Sequence, residues 1–324
     1  MFNQALKNKK IVFLGDSIMA DGRYMHNMRA YMHDKKERCY IFNSGIGGNR
    51  ADMAFDLLDV EVFADKPDYC LICFGANDIG GWLYNANAVV DESNLKERKT
   101  RNDNYFNGID HICTRCKENG VKPILMSPYA TNQRIIEKDN IQTLGDNKEK
   151  AEKLGSSFYK QESLKNVNGA LRLYRDFLKK YAEEHDGIMF IDMFEKSFDV
   201  MMNETELFND DGVHYSEKGH KYLAKIILEL FGYEEVPLEF IHGEGAEELW
   251  QAEKLDRAPK FVRFNQYNAV NGPSTEQERI DWCNKTLADE NEPKWLKNSC
   301  RVYLENYDKL SKNRKNYHEL VLRY

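Results

Sequence analysis

The residues of this chain with chemistry to offer are a serine, a histidine and an aspartate, with an asparagine between them in the sequence. Ser17 closes Gly15-Asp16-Ser17 behind one apolar run, Asn77 lies in Gly75-Ala76-Asn77-Asp78 behind another, and Asp211 and His214 share Asp211-Gly212-Val213-His214. A serine hydroxyl attacks an ester only if a base removes its proton as the bond forms. His214 is the candidate base. Asp211, three residues earlier, is near enough to accept the ring's other N–H and stabilise the imidazolium. The oxyanion of the tetrahedral intermediate then needs preorganised donors. Three are on offer: the backbone N–H of Ser17, the backbone N–H of Gly48 and the side-chain amide of Asn77. Asp16, Asn49 and Arg50 flank these positions and are assigned to substrate contact. Arg50 has two readings, as the first residue of the next helix or as a cation that reaches the crevice and favours an anionic or hydroxyl-rich substrate. Such a set of residues is suited to acyl transfer.

The elements that must position them are legible as alternating patterns. Residues 11–14, 39–43, 69–74, 123–127 and 187–191 are short, continuous apolar runs of the kind that suits strands buried on both faces. Between and after them, residues 24–35, 50–63, 104–118, 166–184 and 217–230 read as helices, the last with Leu223, Ile226, Ile227 and Leu230 at helical spacing. Five strand–helix units predict a parallel sheet covered on both faces. Ligands of such sheets bind at the carboxyl ends of the strands. Gly-Asp-Ser follows the first run, Gly45-Ile46-Gly47-Gly48 the second and Gly75-Ala76-Asn77-Asp78 the third, so all three converge on one edge.

In Gly15-Asp16-Ser17-Ile18, Gly45-Ile46-Gly47-Gly48-Asn49, Gly75-Ala76-Asn77-Asp78 and Asp211-Gly212-Val213-His214, taken in this order over roughly residues 9–232, the chain resembles the SGNH, or GDSL-type, hydrolase superfamily. The resemblance implies Ser17 as nucleophile, Gly48 and Asn77 as oxyanion donors, and Asp211 and His214 completing a triad. It also implies a flavodoxin-like three-layer α/β/α sandwich on a five-stranded parallel sheet, hydrolysing esters with no metal or organic cofactor. Two positions depart from the family pattern. Ile18 stands for the leucine of the motif's name, and Asn49-Arg50 stands where many relatives carry Asp followed by Ser or Thr. Removal of a small acyl group, acetyl above all, from a carbohydrate or small metabolite is the leading expectation. A lipase, thioesterase or lysophospholipase for longer chains, an acyltransferase with the same residues, and a non-catalytic binding module are the alternatives.

The remaining sequence bounds the setting. A chain of 324 residues with 42% hydrophobic and 12% aromatic content supports one large domain with an appendage. The division expected is a hydrolase domain over 1–235 and a mostly helical extension over 236–324. A net charge of −7 recruits neither nucleic acid nor an anionic membrane and leaves neutral or cationic substrates open. No stretch has the apolar length of a secretory signal or a membrane span, so a cytoplasmic protein is expected, with secretion open if a leader has been removed. Seven cysteines fit reduced thiols. Cys113-Thr114-Arg115-Cys116 has no partner pair for zinc and reads as thiols one turn apart on a helix. His220 reads as a surface or packing histidine. A long polar stretch, about 129–165, is expected to overhang the crevice, and a shorter one, 91–104, to form another wall, with Trp82 and Tyr84 on its approach. The extension carries Trp250, Phe261, Phe264, Tyr267, Trp282, Trp295, Tyr303 and Tyr307, too many aromatics for a solvated tail. They pack onto the body or a second subunit, or they form a carbohydrate-stacking surface.

Overall fold

The computed structural model describes residues 6–54, 57–84, 88–132, 135–136, 167–270 and 275–324. The five apolar runs form five parallel strands: β1 (Lys10–Gly15), β2 (Tyr40–Gly45), β3 (Tyr69–Cys73), β4 (Lys122–Met126) and β5 (Met189–Ile191). Their spatial order is β2-β1-β3-β4-β5. Helices α1 (Ser17–Asp21), α2 (Arg23–Asp34), α3 (Leu58–Glu61), α4 (Glu92–Glu118), α5 (Val167–Glu184), α6 (Met193–Asn203) and α7 (Glu217–Leu230) belong to the body. The result is a flavodoxin-like α/β/α sandwich. Ile11, Val12, Phe13 and Leu14 are fully buried, which is why β1 reads as a continuous apolar run and not as an alternating one. The winding reverses at β1, which has β2 on one side and β3 on the other. Gly15 is in register with Gly45 of β2 and Cys73 of β3, so the three loops that carry the motifs leave the sheet at one level.

Two elements differ from the sequence expectation. Residues 50–63 are not one helix: a 3₁₀ turn (Ala51–Met53), the four-residue α3 and a second 3₁₀ turn (Phe63–Asp65) replace it. Arg50 is extended at φ −130°, because the Asp78 carboxylate holds the next amide, Ala51 N–H, at 2.8 Å. The polar stretch 91–104 is no loop wall but the start of α4, capped by the Asp91 side chain on Asn94 N–H and laced by Arg101–Glu97 and Lys99–Asp103 pairs. Trp82 is exposed beneath the Arg101 guanidinium, whereas Tyr84 is buried against Arg98. Most of 129–165, the expected overhang, lies outside the described residues.

The extension forms α8 (Ala246–Val270), α9 (Glu276–Ala288), α10 (Lys294–Asn306) and α11 (Leu310–Arg323). Its side chains close the edge of the sheet. β2 is an edge strand, and the outward backbone groups of its alternate residues would otherwise be exposed. Asn43 N–H donates to Tyr317 Oη at 3.0 Å, Lys260 Nζ donates to Asn43 O at 2.7 Å, and Gly45 N–H donates to the Asn43 side chain at 2.9 Å. Arg29 from α2 donates to Ile41 O and pairs with buried Glu253 of α8 at 2.6 Å. Glu61 is fully buried and meets Arg263 at 2.8 Å, Arg314 at 3.1 Å and Lys260 at 3.5 Å. A buried charge is tolerable only when paired this way. Burial would raise the Glu61 carboxyl, but the three cations overcome it and hold it down at about 2.

Candidate active site

Ser17 is the first residue of α1, entered straight from β1. Buried Asp16 caps that helix by accepting Ile18 N–H at 3.0 Å, which fixes the turn and leaves the Ser17 hydroxyl at the sheet's carboxyl edge. Ser17 Oγ lies 2.8 Å from His214 Nε2, and His214 Nδ1 lies 2.7 Å from Asp211 Oδ2. The other carboxylate oxygen, Oδ1, accepts the N–H groups of Val213 and His214, each at 2.8 Å. Burial would raise the Asp211 carboxyl, yet the hydrogen bonds from the His214 ring and from the two amides prevail and keep it below the usual carboxylate range. An ionised Asp211 accepts from Nδ1–H, which leaves Nε2 free to accept the serine proton. The loop is anchored behind His214 by Ser216, whose side chain caps α7.

Gly48 and Asn77 line the same cavity as Ser17 and His214. Gly48 turns the loop after β2 with φ 80°, and the N–H groups of Gly48 and Ser17 have no acceptor among the described residues. Asn77 Nδ2 donates to Asn49 O at 3.0 Å, which orients the amide and leaves its second hydrogen for another acceptor. Asp78 ties the β3 loop to the β2 loop through Ala51 N–H. It is buried with Oδ2 unpartnered among the described residues, and burial pushes its carboxyl up to about 7. Burial likewise raises Asp16 to about 6 against the opposing Ile18 amide. The structure therefore brings Ser17, Gly48, Asn77, Asp211 and His214 to one place.

It does not bring Asp16, Asn49 or Arg50 to the same surface. Asp16 is spent on its cap, and Asn49 is fully buried, its side chain accepting Arg50 N–H at 2.9 Å. Arg50 is paired with Asp52 through two bonds of 2.9 and 3.0 Å. None of the three lines the cavity over Ser17. That cavity, about 650 Å³, has Ser17, Gly48, Asn77 and His214 on one side and the extension on the other. Lys254, Arg257 and Phe261 of α8 face it together with Asn298 and Val302 of α10. Only Phe261 among these stands out in the sequence, as one of the tail's aromatics. His220 packs flat against Tyr24 in the interior, 3.3 Å from Asp21, and burial lowers it to about 4. Among the described residues no group of three or more His, Cys, Asp or Glu is placed to hold a metal, and Cys113 and Cys116 are buried thiols of α4. No helix among the described residues is long and apolar enough to cross a membrane.

A sequence model of the GDSL-like lipase/acylhydrolase family matches residues 13–222, well over half the chain, and the protein belongs to that family. Among curated proteins, none matches the sequence. Among solved structures, a gut microbial diltiazem-metabolizing enzyme has the same fold with a TM-score of 0.66 at 13% identity, covering 97% of this chain and 95% of that one. A catalytic mutant of an acetylxylan esterase from Geobacillus stearothermophilus gives 0.51 at 22% identity, covering 71% of this chain and 97% of its own. The first of these likenesses spans the extension as well as the body.

Proposed function

We propose that the protein is a serine ester hydrolase that removes small acyl groups through an acyl-enzyme on Ser17. The observation that carries this reading is the unbroken line Ser17 Oγ–His214 Nε2–Asp211 Oδ2, with steps of 2.8 and 2.7 Å, at the wall of a cavity. Ser17 Oγ attacks the ester carbonyl as its proton passes to His214 Nε2, and Asp211 stabilises the resulting imidazolium. The carbonyl oxygen, now negative, faces the N–H groups of Ser17 and Gly48 and the free hydrogen of Asn77. His214 returns the proton to the departing alcohol, and a water then repeats the sequence to release the acid and restore Ser17. Asp211 serves by orientation and charge, and the hydrogen bonds from the His214 ring and the two amides favour its charged form.

The acyl group is acetyl or similarly small, and the alcohol is a carbohydrate or small metabolite. Two proteins of this fold bear compatible chemistry in their names, an acetylxylan esterase and a drug-metabolizing enzyme. One observation favours a second reading, a longer acyl chain: Ile46, Ala258, Phe261 and Val302 give the cavity an apolar wall. Hydrolysis of p-nitrophenyl acetate, butyrate and octanoate by the wild type and Ser17→Ala separates the two. Activity that requires Ser17 and is highest on acetate is expected; activity rising with chain length supports the second reading, and equal rates for the two proteins refute both.

A further inference from the structure

The wall that α8 adds to the cavity carries two cations with no carboxylate within ion-pair distance among the described residues. Lys254 is half-buried with its ammonium 4.9 Å from the centre of the Trp250 ring, and no carboxylate among the described residues lies within ion-pair distance of it. Arg257 donates through Nη1 to the carbonyls of Ala20 and Asp21, the last of α1, and likewise has no carboxylate within ion-pair distance among the described residues, although its charge helps hold the Glu253 carboxyl down. A guanidinium has five N–H groups, so others remain for a ligand. The cavity's one carboxylate among the described residues, Asp21, is already neutralised by Arg23 at 2.6 and 2.9 Å, and His220 sits 3.3 Å away. Elsewhere the buried charges of the extension meet opposite charges of the body, as Lys260 and Arg314 meet Glu61 and Glu253 meets Arg29, so two cations with no ion-pair partner among the described residues are a local exception at this surface. The exception also runs against the net charge of −7.

We propose that Lys254 and Arg257 make the cavity selective for esters whose alcohol half carries an anionic group, a carboxylate in the simplest case. The hydrophobic body of that half lies against Phe261, Ile46 and Val302. With a small acyl group at the Ser17 side, the volume under α8 and α10 is left to the alcohol, and Lys254 and Arg257 line that volume. A partly desolvated cation gains most from an anion delivered to it, because the surrounding solvent screens the pair less than at an open surface. The extension is then a specificity element: it sets which alcohol is accepted, and the body supplies the chemistry. This inference rests on the ester-hydrolase reading, and its test keeps the two apart.

The test compares 4-acetoxybenzoate with its neutral counterpart 4-acetoxybenzamide, using the full chain and the variants Lys254→Met, Lys254→Glu and Ser17→Ala. The quantity read is the benzoate-to-benzamide ratio of kcat/KM; its change between proteins removes the intrinsic reactivity difference of the two esters. A fall of about 2- to 5-fold in Lys254→Met is expected, the range of an exposed ion pair, carried by KM. A larger fall is expected in Lys254→Glu, and the wild-type preference shrinks as salt is raised. A ratio that Lys254→Glu, shown folded by circular dichroism, leaves unchanged overturns the proposal. In parallel, Ser17→Ala is titrated calorimetrically with both compounds, with and without Lys254→Glu. Failure of the wild type to hydrolyse either ester counts against the hydrolase reading alone. Anion selectivity is then judged by binding: tighter benzoate binding lost on Lys254→Glu supports it, and equal binding of the two compounds overturns it.

Discussion

At the scale of single residues, the site separates groups that act on a substrate from groups that hold them. Asn77 is of the first kind in our proposal, with its amide pinned by Asn49 O and one hydrogen available. Asn77→Ala is expected to lower kcat by about 10²–10³ with little change in KM, since the donor matters chiefly to the developing oxyanion; steady-state kinetics on p-nitrophenyl acetate checks this. Asp78 is of the second kind, and its carboxyl is raised from 3.8 to about 7 by burial. The folded protein therefore keeps this proton where the unfolded chain has lost it. Stability from Asp78 is greatest at low pH and falls as pH rises from about 4 to 7. Asp78→Asn, which keeps the acceptor for Ala51 N–H, removes that slope. Urea denaturation of both proteins at pH 5 and pH 8 is expected to show the variant gaining on the wild type at the higher pH.

At the scale of elements, what matters is how closely α1 lies on β2. A Cβ at Gly45 would come 2.2 Å from Ala20 N, a backbone atom that can move only if α1 moves. Since α1 begins with Ser17, Gly45→Ala is expected to damage stability and activity together. The melting temperature falls, and the remaining folded protein loses turnover because its nucleophile no longer meets His214. Calorimetry alongside active-site titration measures both. The same packing explains how the sequence is read and misread here. Gly45 to Gly48 is visible as a glycine-rich loop at the right strand end, whereas the helix expected over 50–63 is pre-empted by Asp78, a residue of another loop whose carboxylate captures Ala51 N–H.

For the molecule as a whole, the extension is joined to the body by buried charge. Glu61 is the centre of that joint. With its carboxyl held at about 2 against an ordinary 4.5, it contributes on the order of 3 kcal/mol above the unfolded value. That contribution is lost as pH falls from about 5 towards 2. Glu61→Gln leaves Arg263, Arg314 and Lys260 around an uncharged group and is expected to cost about 3–5 kcal/mol at neutral pH. It also flattens the acid limb of the stability curve, which chemical denaturation across pH 3–7 will show. Trimming the extension would uncover the outer edge of β2 and strand Arg29 and Glu61 together, so truncation is expected to destabilise the body as well as to open the cavity.

The sequence by itself determined the five strands, their parallel sheet and the convergence of three motif loops. Apolar runs and strand-end glycines are local signals, and parallel sheets gather their strand ends on one side. It also placed Ser17, Asn77, Asp211 and His214 together on chemical grounds, and the tertiary structure brings Ser17, Asn77 and His214 to one cavity wall, with Asp211 hydrogen-bonded to His214. The structure alone decided what stands opposite them. α8 buries Glu253, Asp256 and Lys260, so it lacks the apolar periodicity that marks a packed helix. The burial of those charges follows from partners some two hundred residues away in sequence, such as Arg29, Asn43 and Glu61. Lys254 and Arg257 face the cavity for the same reason: their neighbours on α8 are locked to β2 and α3, and that fixes which side of the helix looks at Ser17.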